Sequence, residues 1–308
     1  MWFKALRIYQ ARTQQPWNSE SLEKALAIKP FRSCTSQEES TAGWVSPSAG
    51  KLLVHSQGDH WLLKLKIEEK ILPSSVVREQ LQEQVDALEA AENRRIGRKE
   101  RQNLADEMRL TLLPKAFTRS RYLWVWLDGN NNRIMMDTTT DKQAELALNL
   151  LREGLGSLPV VPLNTQLNPV QVMTQWVENQ PPKDFELLDS CELRDAEDDK
   201  AVMRCKGQDL SSDEIQQLLQ AGKRITQLRL SWQEQLSFTL TDSLMIKTLS
   251  FADQLLEEAA DVNPDQDPLI ALDAEFILMS NTLSALADRL VEVHEGLSDN
   301  LQQDQQKP

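Results

Sequence analysis

Three cysteines, Cys34, Cys191 and Cys205, are all the chain has, widely spaced and with no CxxC pair. An odd number so placed fits a reducing cytoplasm and neither a zinc site nor a disulfide framework. Histidine is as scarce: His55, His60 and His294 form no HxxxH or HExxH pattern, so they read as surface or satisfied side chains rather than ligands. There is no Gly-x-Ser-x-Gly elbow and no Cys–His pair beside a glycine-rich turn. Gly222-Lys223-Arg224 ends like a phosphate-binding loop, but the upstream glycine is missing and arginine stands where a metal-binding hydroxyl belongs. No cofactor is implied. No apolar run approaches ~18 residues, so no transmembrane helix and no membrane partner are expected. The opening Met1–Tyr9 lacks a signal peptide's apolar region and cleavage site and alternates like a strand.

What is present is charge, unevenly spread. The 308 residues carry a net charge of −13. From Phe251 to Pro308 thirteen acidic residues face only Arg289 and Lys307, which places most of that excess in the last fifth of the chain. From Glu92 to Arg121 the sign reverses: nine basic residues (Arg94, Arg95, Arg98, Lys99, Arg101, Arg109, Lys115, Arg119, Arg121) against four acidic ones. Exposed charges farther apart than roughly 8 Å are screened at physiological salt, so an acidic end does not forbid a basic surface elsewhere. A charge run of this kind is ordinarily a solvated face; a polyanion partner is the alternative.

The basic run sits in a helical pattern. Ser74 and Ser75 follow Pro73 as N-cap candidates, and Val77, Leu81, Val85 and Leu88 recur on one helical face. Gly97 interrupts the pattern. A second helix with Leu104, Met108 and Leu112 inward stops at Pro114. The spacing therefore predicts a helical hairpin over 74–116 with a thin apolar seam.

Elsewhere the periodicity predicts a strand at 2–10, a helix from Asn18 or Ser19 to Lys29, a strand pair 51–54 and 61–67 across Gly58-Asp59, and a hairpin 122–127 and 133–137 around Asp128-Gly129-Asn130-Asn131-Asn132. A helix capped by Asp141 ends at Gly154 and Gly156, and Leu158–Leu163 is an extended connector. A helix at 169–178, strands at 185–193 and 200–206, a helix with a Ser211…Glu214 capping box, a meander 224–230, 235–240 and 244–249, and helices 251–260 and 272–297 follow. Strands in runs with segregated helices make this an α+β protein with antiparallel sheets and a projecting helical hairpin. The expected organisation is an N-terminal half 1–157, a C-terminal half 158–297 with acidic helices, and a frayed tail 298–308.

One constellation suggests catalysis. Asp59 followed by Glu68-Glu69-Lys70 could hold a magnesium ion and a water for phosphodiester hydrolysis, making a nuclease through Asp59, Glu68 and Lys70. The spacing is permissive, and a charged strand end is the simpler explanation; the expectation is a non-enzyme. An acidic, protein-binding regulator without DNA contact is a third reading.

Several strings occur together in one order: Trp2-Phe3-Lys4, Glu68-Glu69-Lys70-Ile71-Leu72-Pro73, Leu112-Leu113-Pro114-Lys115-Ala116-Phe117, Leu155-Gly156-Ser157-Leu158-Pro159-Val160, Gln208-Asp209-Leu210 and Asp273-Ala274-Glu275-Phe276-Ile277-Leu278-Met279. In register over residues 2 to about 297, they resemble the bacterial recombination-associated RdgC family. The resemblance implies a nucleoid-associated homodimer closed into a ring around double-stranded DNA, with little sequence preference, that restrains RecA filaments. It places a helical finger at 74–116 and assigns Phe117 to one subunit interface. Lys206 and Gln208 fall to the other, where the family's second lysine is replaced here by Gly207, and Lys223 faces the DNA channel. With the hairpin cations, the expected DNA-binding set is Arg94, Arg95, Arg98, Lys99, Arg101, Lys115, Arg119 and Lys223.

Overall fold

The computed structural model describes residues 1–48, 50–195, 201–261, 267–298 and 301. Residues 196–200, which include the start of the strand expected at 200–206, and the expected frayed tail 298–308 apart from Ser298 and Leu301 lie outside them. The chain folds as twelve strands and eight helices among these residues, and every strand pair with a described register is antiparallel. Two compact units share it: a larger one of residues 1–28, 46–63 and 124–308, and a smaller one of 29–45 and 64–123.

In the larger unit, β1 (Arg7–Ala11) lies between β6 (Arg133–Met136) and β7 (Val160–Pro162). The end of β5 (Phe117–Asp128) pairs with β6 through Val125–Asp128, and β3 (Val54–Gln57) pairs with the start of β4 (His60–Ile71). The turn after β5 is organised by the fully buried Asp128 carboxylate, which accepts from the Asn130 and Asn131 backbones at 3.1 and 3.3 Å and from Ser284 Oγ at 3.0 Å. A second sheet has the order β12 (Ile246–Phe251), β11 (Leu236–Thr241), β10 (Lys223–Trp232), β8 (Phe185–Asp195), β9 (Val202–Lys206). The core gathers Leu228, Leu230 and Phe238 from this sheet with Phe276, Met279, Leu283, Leu286 and Leu290 of α8 (Pro268–Val293), all buried. By length and composition α8 could span a bilayer. Its apolar face is occupied by that core instead.

The helices α1 (Ser19–Leu26) and α4 (Asp141–Leu155) meet at a close approach: a Cβ on Gly154 would lie 2.5 Å from Ala25 O. The remaining helices of this unit are α5 (Pro169–Asn179), α6 (Asp213–Gln220) and α7 (Asp253–Asp261).

The smaller unit holds β2 (Ser40–Val45), paired with the far half of β4 from Lys64 to Glu69, and the first half of β5. It also holds the hairpin α2 (Ser74–Glu92) and α3 (Arg98–Leu112), which contact each other, and a 3-10 turn at Leu113–Lys115.

Several expectations shift. The strand expected at 2–10 begins at Arg7, because the Lys4 and Ala5 amides donate to the Asp137 carboxylate instead of a neighbouring strand. The first strand of the Gly58-Asp59 pair is Val54–Gln57, where Lys51–Val54 was expected. β2 is absent from the expected elements: its Ser-Thr-Ala-Gly run carries little strand signal, and pairing with β4 decides it. The expected connector 158–163 contains β7, an edge strand where the missing amide of Pro162 costs no ladder bond. The caps sit one residue off: Pro73, Thr140 and Ser212 hold the N-cap positions, without side-chain cap bonds. Asp209, not Ser211, organises the start of α6, accepting from the Ser211 amide and hydroxyl at 2.8 and 2.6 Å.

Candidate nucleic-acid interface

The hairpin break belongs to Asn93. It closes α2 with φ at +50°, a left-handed conformation asparagine tolerates well, while Gly97 is extended at φ −73° as the N-cap of α3. The turn is then stapled from both sides. Glu89 accepts from the Ile96 amide at 2.7 Å, and Arg94 binds Glu92 through Nε at 2.6 Å and Glu100 through both terminal nitrogens at 2.7 and 2.8 Å. That fork holds the Glu100 carboxyl below its ordinary range. Arg94 is thus largely spent on the turn, and Arg101 donates to Gln82 Oε1 at 2.5 Å.

Arg95, Arg98 and Lys99 differ. All three are exposed, and none has an ion-pair partner among the described residues. The seam beneath them is thin: Val77, Leu81 and Val85 are buried, Leu88 only partly so, and α3 buries no side chain at all. A hairpin that stores so little apolar area and carries unpaired cations at its turn is built to present charge rather than to hide it.

The 3-10 turn brings the chain from α3 into β5, where Phe117 through Tyr122 are six exposed residues in succession. Phe117, Arg119 and Arg121 alternate onto one face of that strand. Phe117 is 84% exposed and Tyr122 54%. Arg119 approaches Glu69 at 3.5 Å, while Lys115 is exposed. β5 has β4 along one edge, and β6 on the other pairs only with Val125–Asp128, so along that second edge no strand is described at residues 117–123. An open strand edge with a bare phenylalanine is the kind of surface proteins normally cover.

In the larger unit, Lys223 opens β10 and its Nζ lies 3.2 Å from Asp195 Oδ2, which leaves its side chain 18% exposed. Lys206 ends β9 and is exposed, as are Gly207 and Gln208. The Gln208 amide donates to Asp189 O at 3.2 Å. Gly207 has φ at +66°, where a lysine would carry a conformational cost of about 1 kcal/mol. The departure from the family string therefore relaxes this turn.

The third set does not assemble. Glu68 is buried, its carboxylate accepting from the Cys34 amide at 2.8 Å and from Ser120 Oγ at 3.5 Å. Lys70 Nζ donates to the carbonyls of Ser36 and Leu113 at 2.7 and 2.9 Å. Asp59 lies in the turn before β4, nine residues ahead of Glu68 along an extended strand that rises about 3.3 Å per residue. That is far beyond the ligand sphere of one ion. Among the described residues, no three His, Cys, Asp or Glu side chains gather as a metal would require.

The fold and these surfaces define an α+β protein with a cation-tipped helical hairpin. The chain belongs to the RdgC family: residues 1–297 match the family model described as "Putative exonuclease, RdgC". It is 45% identical over 296 residues, 95% of this chain and 96% of the relative, to the recombination-associated protein RdgC of Pseudomonas aeruginosa. Over the same coverage it is 44% identical to that of Pseudomonas syringae pv. tomato and 43% identical to that of Pseudomonas fluorescens.

Proposed function

We propose that the protein binds double-stranded DNA without regard to sequence, as a homodimer closed into a ring around the duplex, and thereby restrains RecA-promoted recombination from a cytoplasmic, nucleoid-associated position. The observation that carries the DNA contact is the trio Arg95, Arg98 and Lys99, exposed and without an ion-pair partner among the described residues, at a stapled turn in a chain of net charge −13. Arg94 and Arg101 position that trio more than they add free charge. Cations on a rigid turn contact phosphate, which carries no sequence information. The bare edge of β5 with Phe117 supports self-association, since an exposed aromatic anchor at an interface is commonly worth about 2 kcal/mol or more. The Lys206–Gln208 turn is the second candidate contact. Restraint of RecA rests on the family resemblance alone, and the relatives' shared name associates them with recombination.

A mobility-shift titration on two unrelated duplexes tests the reading. Similar affinities are expected, with log K falling against log salt by about 0.9 per phosphate contact. No shift at moderate salt would defeat it and favour the acidic regulator. The family model's description favours one second reading, an exonuclease. Linear duplex incubated with the protein and Mg²⁺ decides that point: full-length product at high protein concentration removes it, and progressive shortening from the ends establishes it.

A further inference from the structure

Strands β8 and β9 place two cysteines that the sequence keeps fourteen positions apart directly opposite one another: Cys191 and Cys205 are partners in the antiparallel register. Directly opposed residues in such a ladder have Cα atoms about 4.5 or about 5.5 Å apart, depending on the kind of pair. Both values fall inside the span of about 4.4–6.8 Å that a disulfide bridges. As directly opposed partners, the two side chains emerge on the same sheet face. Both are free. We propose that Cys191 and Cys205 form a modification site that peroxide oxidises to an intramolecular disulfide, fastening β9 to β8.

The two cysteines have different exposures, which orders the steps. Cys205 is half-buried and lines a surface cleft of about 680 Å³ with Met203, Arg204, Lys206, Gln208 and Glu214, so a small peroxide reaches it first. Its sulfur attacks the O–O bond, giving a sulfenic acid; the thiol proton leaves with the departing hydroxide as water. Cys191 is buried, and burial followed by the neighbouring Cys205 pushes its thiol up to about 12. That makes it the poorer first nucleophile, and its place directly opposite Cys205 makes it the resolving one. Its sulfur then displaces hydroxide from the sulfenic sulfur, and its proton completes the second water. Two thiols lose two electrons and two protons, and one peroxide becomes two waters. Cys34 has no such partner: its thiol meets the Glu68 carbonyl at 3.5 Å.

The location gives the bond a consequence. β9 is an edge strand whose one strand neighbour among the described residues is β8, and its last residue is Lys206, followed by the Gly207–Gln208 turn. Fastening the strand one residue before Lys206 limits how that turn can move. The inference is independent of the DNA reading, and its test contains no DNA.

The experiment treats the full chain with hydrogen peroxide, blocks remaining thiols and maps peptides by mass spectrometry without reduction. The expected result is a monomer lighter by two hydrogens, with the Cys191 and Cys205 peptides linked and all three thiols restored by dithiothreitol. Hydrogen exchange at Val202–Lys206 should slow on oxidation. Cys205→Ser, at the half-exposed position, should abolish the link, and Cys34→Ser should leave it intact. Over-oxidation of Cys205 without a link, reaction of Cys34 alone, a link only between chains, or unchanged exchange in β9 would each overturn the proposal.

Discussion

Asp184 stands just before β8 and accepts from Arg289 of α8 through Nε at 2.8 Å and Nη2 at 3.0 Å, and from Trp232 Nε1 at 3.2 Å. One carboxylate thereby ties the core helix to two strands. The Arg289 guanidinium, aided by Trp232, holds its carboxyl below the usual range. A carboxyl whose folded pKa is depressed contributes stability that is complete above its unfolded value, near 3.9, and is lost as pH falls through the lower folded one. Asp184→Asn should lower the unfolding free energy at pH 7 by about 1–2 kcal/mol. It should also flatten the decline of stability below about pH 4. Urea denaturation across pH checks both, and an unchanged acid slope would show that this carboxylate does not carry it. Glu192 is a second such knot: burial pushes its carboxyl up, yet Arg194 at 3.0 Å and Arg204 at 2.9 Å more than compensate.

At the scale of elements, the α1–α4 packing is set by Gly154. Gly154→Ala improves helix propensity but drives a methyl into the Ala25 carbonyl, so stability should fall by about 1–3 kcal/mol as α1 is displaced. A higher urea midpoint would contradict that geometry. The hairpin invites a different comparison. Replacing Arg95, Arg98 and Lys99 by alanine should weaken DNA binding and reduce the salt slope by up to about 0.9 per lost phosphate contact. Arg94→Ala should instead loosen the turn, seen as faster amide exchange at Ile96, with a smaller change in slope. An unchanged slope in the triple variant would remove the hairpin from the interface.

Long periodic elements were legible in the sequence for a physical reason. The α2 stripe Val77, Leu81 and Val85, the α8 stripe from Phe276 to Leu290 and the meander β10–β12 all bury one face, so period and structure coincide. What the sequence concealed was settled by partners. β2 needs β4, β7 needs β1, and the hairpin turn needs Glu89 and Glu100 as much as any glycine. The nine hairpin and strand cations could be counted from the sequence. Their division into Arg94, spent on two carboxylates, and Arg95, Arg98 and Lys99, left open, could not. Cysteine spacing argued against disulfides, because strand register alone sets Cys191 against Cys205.

At the scale of the whole molecule, the proposed ring depends on surfaces the single chain leaves uncovered. Phe117 contributes almost nothing to its own subunit, being 84% exposed, so Phe117→Ser should leave thermal stability of the monomer within about 0.5 kcal/mol. Sedimentation should nevertheless show a weaker dimer; an unaltered monomer–dimer equilibrium would relocate the interface. Encirclement makes one further demand, separate from affinity. Protein loaded on covalently closed circular duplex and on the same duplex linearised should behave differently under a salt challenge. A closed ring is predicted to persist on the circle and slide off the linear ends, whereas equal loss from both would contradict encirclement.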